Sequence, residues 1–224
     1  MKIATLWLAC SAAIAQTSEG ERQSFVPIDS SLEAQFNAVA MDERVQAALI
    51  KLEEREEEAI QEQIRITEIP APPFQEERRA AYFLERVKER GLADAYIDDE
   101  GNVVATRPGT GNGPTLLIAA HLDTVFPAGV DTTVEFRDGR YYAPGIGDDT
   151  RGLIVLLSIL EALNESGITT HADIIFSANV GEEGRGDLRG VKALFREHPE
   201  TDGFISIDGV RLQRITTGGT GSRR

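Results

Sequence analysis

The sequence predicts an α/β domain of three layers, helix, sheet and helix, on three observations. Residues 115–120 are a continuous apolar run of strand length, as in strands covered on both faces, 172–178 read as another buried strand, and 203–207 as a third strand. Helical stretches separate them: residues 153–163 are apolar on nearly every side, and a shorter helix covers about 188–196. The order strand, helix, strand, helix, strand is that of an α/β sheet. Lastly, each run ends in acidic or imidazole groups, where ligand sites collect in open α/β sheets.

Of the 224 residues 41% are hydrophobic, enough for one sizeable core. The formal net charge of -14 argues against a nucleic-acid partner, because phosphate contacts need clustered Lys and Arg. Residues 1–15 read as an export signal: Lys2, a mostly apolar run, then Ala13-Ile14-Ala15 as a small-x-small cleavage pattern. The expected location is therefore periplasmic or secreted. The run is too short to span a bilayer. The single cysteine, Cys10, lies inside it, and Trp7-Leu8-Ala9-Cys10 is a poor acylation box, which argues against a lipoprotein. Cleavage after Ala15 would leave a chain without disulfides.

Residues 16–41 are polar and lack sustained periodicity, so a loose linker is expected. A helix is predicted over 42–66, with Val45, Ala48, Leu49 and Leu52 on one face and a solvated, charged middle at 53–58. Pro70-Ala71-Pro72-Pro73 stops it, because proline cannot continue a helix interior. A second helix follows over 74–90, with Ala80, Ala81, Leu84 and Val87 apolar and Gly91 as its cap. Residues 95–98 and 103–107 are predicted strands around the turn 99–102, and 133–136 with 140–143 form a hairpin on Asp138-Gly139. His171 and His198 have no acidic partner at useful spacing and read as surface residues.

The chemistry gathers at His121 and Asp123, Asp148 and Asp149, Glu182 and Glu183, and Asp208. So many carboxylates in one place repel unless cations neutralise them. Imidazole with carboxylate oxygens suits zinc, so one or two metals are expected. Simpler readings exist for each group. Asp148-Asp149 could cap the following helix, Glu182-Glu183 could be a solvated turn, and Asp208-Gly209 is ordinary turn chemistry.

Taken together, His121-Leu122-Asp123-Thr124-Val125, Gly147-Asp148-Asp149 with Gly152, Glu182-Glu183-Gly184 and Asp208-Gly209 resemble the M20 zinc exopeptidases and amidohydrolases, in family order. That class includes glutamate carboxypeptidases, tripeptide aminopeptidases, acylases and desuccinylases. The resemblance covers about residue 48 to the end. It implies a zinc-exopeptidase-like catalytic domain over 42–216, with 217–224 starting a connection to a lid and dimerisation domain. It implies two Zn²⁺ in a complete site. His121 and Asp208 would each bind one metal, Asp148 would bridge both, and Glu183 would be a further ligand. Glu182 would be the general base, and Asp123 would hydrogen-bond the far nitrogen of His121. The implied substrate is a small peptide or acyl-amino acid, and homodimerisation would run through the lid.

Two departures accompany this resemblance. Thr150 stands where many relatives carry Lys. The family pattern also continues into the lid and then returns to a final His ligand, a role that no residue here fills. The domain is thus expected to be incomplete at its C-terminus, and this chain alone to have little turnover. A neighbouring M28-like zinc aminopeptidase and a non-catalytic metal-binding fragment are the competing readings.

Overall fold

The computed structural model describes residues 29–209. The expected signal segment 1–15, the first half of the 16–41 stretch and residues 217–224 lie outside them. Contacts divide the chain into Met1–Val39 and Ala40–Arg224. Within the stretch expected to be a linker, Ser30–Ala40 is a helix (α1), with no buried residue.

The helix predicted over 42–66 is two. Helix α2 (Glu43–Glu54) starts at Asp42, whose carboxylate accepts the Arg44 N–H at 2.9 Å, and α3 (Glu56–Thr67) follows after a break at Arg55. Arg55 leaves helical geometry and turns its guanidinium to Glu161 and Glu165. The charged middle is indeed exposed, but Leu49 is too, so the inward face is Val45, Ala48 and Leu52. Helix α4 (Glu77–Glu89) starts three residues later than predicted and buries Ala80, Phe83 and Val87. Ala81 is exposed, and the fully buried Arg79 takes a place on the inner face.

The strands are β1 (Tyr96–Ile97), β2 (Val103–Arg107), β3 (Thr115–His121), β6 (Asp173–Asn179) and β7 (Thr201–Ser206), with β4 (Glu135–Arg137) and β5 (Arg140–Tyr142) as a separate hairpin. Helix α5 (Thr150–Glu165) precedes β6, and α6 (Arg189–Glu197) precedes β7. The five-stranded sheet runs β1-β2-β6-β3-β7, with β3 parallel to both β6 and β7 and β2 antiparallel to β6. Alternation of side chains across the sheet divides the core. Ala105, Ile118, Ala120, Phe176 and Ala178 pack with Ile66, Phe83 and the apolar residues of α5, while Val104, Leu117 and Ile175 meet Leu194 of α6 on the other face. Three layers result, as predicted. Strand β7 is an edge, and Phe204 and Ile205 on it are 39% and 48% exposed.

After β3 the chain crosses to β6 on one side, then from β6 back to β7 on the other. The carboxyl end of β3 is thus a topological switch point, where open α/β sheets form ligand crevices. His121 is the last residue of β3, paired in register with Asn179 at the end of β6.

Candidate metal centre

Two carboxylates hold the β3 terminus, and neither points at solvent. Asp149 is 1% exposed; one oxygen accepts the His121 N–H at 3.0 Å and the other the Gly152 N–H at 3.0 Å. It therefore caps α5 and ties that helix to β3 with one side chain. Gly152 is required by this contact, because a Cβ there would run into the Asp149 carboxylate. Asp123 is fully buried, and its oxygens accept the N–H groups of Glu182 at 3.0 Å and Glu183 at 2.8 Å. The pair of glutamates after β6 is thereby set beside β3.

The expected bond from the Asp123 carboxylate to His121 is a longer contact. Nδ1 of His121 lies 2.9 Å from the Asp123 backbone oxygen and 3.5 Å from its carboxylate. Both carboxylate oxygens are occupied by the Glu182 and Glu183 amides, so the carbonyl is the ring's nearer acceptor. Either partner fixes Nδ1–H and turns Nε2 outward. Nε2 lies 2.9 Å from the Asp148 carboxylate, whose side chain is 60% exposed while the imidazole is 2% exposed.

Sequence reasoning did not single out Arg79. Its guanidinium donates to the carbonyls of Leu122 at 2.8 Å, Ile69 at 2.9 Å and Thr67 at 3.3 Å. Burial pulls its pKa down to about 10, with the Asp123 charge acting in the opposite direction, so it stays charged at neutral pH. The only available signal was an Arg one position from the apolar face of α4, a pattern that normally marks a solvated stem.

Among the described residues, His121, Asp148 and Glu183 each offer one ligand atom, all within 4.8 Å of one another. Zn–N and Zn–O bonds of roughly 2.0–2.2 Å place tetrahedral ligands some 3–4 Å apart, so this nitrogen and two oxygens would close by up to about an ångström around a zinc-sized cation. Glu182 is half-buried beside them. Asp208 stands outside the three-atom group, exposed two residues past the end of the edge strand β7, although its charge reaches Asp149 and Glu182.

The electrostatics are those of an acidic cluster holding a cation. Burial pushes the Glu182 carboxyl up, and the charges of Asp208, Asp123 and Asp148 add to it against the pull of His121. Glu183 rises through burial and then through Glu182 and Asp148. Burial opposes charge on His121 but is outweighed by Asp123, Asp149 and Asp148, which raise it to about 10. Without a metal, the imidazolium itself is the neutralising cation. His171 is exposed as expected, whereas His198 is half-buried and pairs with Glu200 at 3.1 Å.

Residues 117–215 match the model of Peptidase family M20/M25/M40, a stretch containing His121 and every carboxylate of this site. These residues are an M20-family segment. The chain is 32% identical over 166 residues to a protein of Pyrococcus furiosus named for LysW-lysine/LysW-ornithine hydrolysis, covering 74% of this chain and 46% of that one. It is 34% identical over 130 residues to carboxypeptidase G2 of Pseudomonas sp., covering 57% and 29%. The fold superposes on a tripeptidase from Staphylococcus aureus with a TM-score of 0.57 at 28% identity, over 68% of this chain and 43% of that one. The chain spans less than half the length of each of these relatives. Members of the family hydrolyse peptide or amide bonds.

Proposed function

We propose that this chain is the metal-binding part of an exported hydrolase that cleaves peptide or N-acyl amide bonds of small substrates. The observation that carries the reading is the convergence of the His121, Asp148 and Glu183 ligand atoms within 4.8 Å at the switch point. In this reading His121, Asp148 and Glu183 would hold Zn²⁺, and Asp148 and Asp208 would serve a second ion of the complete site. Bound zinc polarises a scissile carbonyl and lowers the pKa of water. Glu182 sits beside the ligands with a carboxyl raised above its usual range, as suits a group that takes a proton from the attacking water and delivers it to the leaving amine. Asp123 places Glu182 and Glu183 through their amides, and Asp149 places His121 through its own.

The test uses the complete gene product. Zinc content and hydrolysis of a panel of dipeptides and N-acyl amino acids are measured for the wild type and Glu182→Gln. The expected outcome is unchanged zinc and turnover lowered at least about 100-fold. Zinc without turnover in either form would favour a metal-binding protein without catalysis.

A further inference from the structure

A cleft of about 800 Å³ opens beside the metal-ligand group, lined by Pro73, Val125, Glu183, Gly184, Arg185 and Asp187. Its volume is that of a small-molecule site. Val125 is 61% exposed in it, an apolar surface next to the His121-Leu122-Asp123 run. Arg185 is the one cation in the lining, two residues from Glu183 on the short turn Gly184–Gly186.

The neighbouring cations are already engaged. Arg79 is buried against three carbonyls, Arg189 pairs with Glu76 and Glu100, and Lys192 pairs with Asp187 at 2.7 Å. The Asp187 carboxylate is thus held by Lys192, and Glu183 belongs to the ligand group. Among the described residues Arg185 is exposed and makes no ion pair with either. An exposed guanidinium at the wall of a cleft that otherwise carries carboxylates offers the fork geometry that binds a carboxylate in two parallel hydrogen bonds.

We infer that Arg185 is a specificity-determining residue, binding a carboxylate of the substrate in the Val125–Arg185 cleft while the scissile bond lies at the His121, Asp148 and Glu183 group. The assignment rests on the hydrolase reading for its substrate, but not for its anion site. An acidic centre would otherwise repel an anionic substrate, and Arg185 offsets that repulsion on the side where the substrate enters. Val125 and Pro73 complete the subsite with apolar contact for the substrate's side chain.

The test measures binding to the zinc-loaded 224-residue chain by calorimetry or amide chemical shifts, with N-acetyl-L-alanine and its neutral carboxamide as probes. The wild type is expected to bind the carboxylate about tenfold more tightly than the carboxamide, the size of one charge-assisted contact. Arg185→Gln should reduce that preference to within about twofold, and Arg185→Lys should keep part of it. Zinc affinity and thermal midpoint should stay unchanged in both variants, since Arg185 is exposed. A preference that survives in Arg185→Gln places the carboxylate on the metal and overturns the assignment, as does a wild type that binds neither probe or both equally. A chain that takes up no zinc sinks the hydrolase reading instead. The same probes on the metal-free chain then decide Arg185 separately.

Discussion

Replacing Arg79 with Met tests whether the metal centre is held from behind. Met fills most of the space and removes the buried charge, but it leaves the Leu122, Ile69 and Thr67 carbonyls without their donor. Two of those bonds are short, at 2.8 and 2.9 Å, and hydrogen bonds to a charged group contribute about 1.5–3 kcal/mol each. Relief of the guanidinium's desolvation offsets part of that sum, so a net loss of about 3 kcal/mol is expected. For a domain of this size this lowers the thermal midpoint by roughly 6–12 °C. Leu122 lies between His121 and Asp123, so zinc affinity should fall as well, by about 10–100-fold. Urea denaturation with and without zinc and a competitive chelator titration measure both effects. A stability loss under about 1 kcal/mol with unchanged zinc affinity would refute the reasoning, showing that the β3 terminus keeps its geometry without Arg79.

Three further outcomes follow from the same contacts. Gly152→Ala forces a Cβ onto the Asp149 carboxylate and should cost about 1–3 kcal/mol in urea denaturation; an unshifted midpoint means the carboxylate is free to move aside. Asp123→Asn leaves one oxygen where two accept the Glu182 and Glu183 amides, so zinc affinity should drop about 10–100-fold with Glu182 and Glu183 intact; equal affinity in both forms counts against the amide clamp. The His121 pKa is raised above its ordinary 6.5 to about 10, so in the metal-free chain its contribution to stability is full below 6.5 and vanishes as pH rises through about 10. Zinc must displace that proton, so apparent zinc affinity should rise about tenfold per pH unit between pH 6.5 and 8, and a flat profile there contradicts it.

Much of the fold is visible in periodicity. The uniformly apolar runs became β3 and β6, and the Asp138-Gly139 pair became the β4–β5 turn, with positive φ at both positions. What failed was local in each case. The charged run at 53–58 gave no sign of a break, because Arg55 departs from helical geometry to reach Glu161 and Glu165, more than a hundred residues away. The helix Ser30–Ala40 was missed although Leu32, Phe36 and Val39 recur at helical spacing, and all three of these side chains are exposed. Arg79 was overlooked because its partners are backbone carbonyls, which carry no residue-type signal.

By itself, the sequence determined which chemistry is present: one imidazole and a set of carboxylates at strand ends, in numbers that call for a cation. It also determined the layered α/β fold, because strand and helix periods are properties of consecutive residues. Only the tertiary structure decided how those groups divide the work. Asp149 and Asp123 are spent on backbone amides, Asp148 meets the outward nitrogen of His121 with a Glu183 oxygen within 4.8 Å, and Asp208 stays apart at an open edge. Whether a carboxylate is buried against an amide or aimed at an imidazole depends on which strand lies beside which. Here that order is set by the crossovers that bring β6 and β7 to opposite sides of β3.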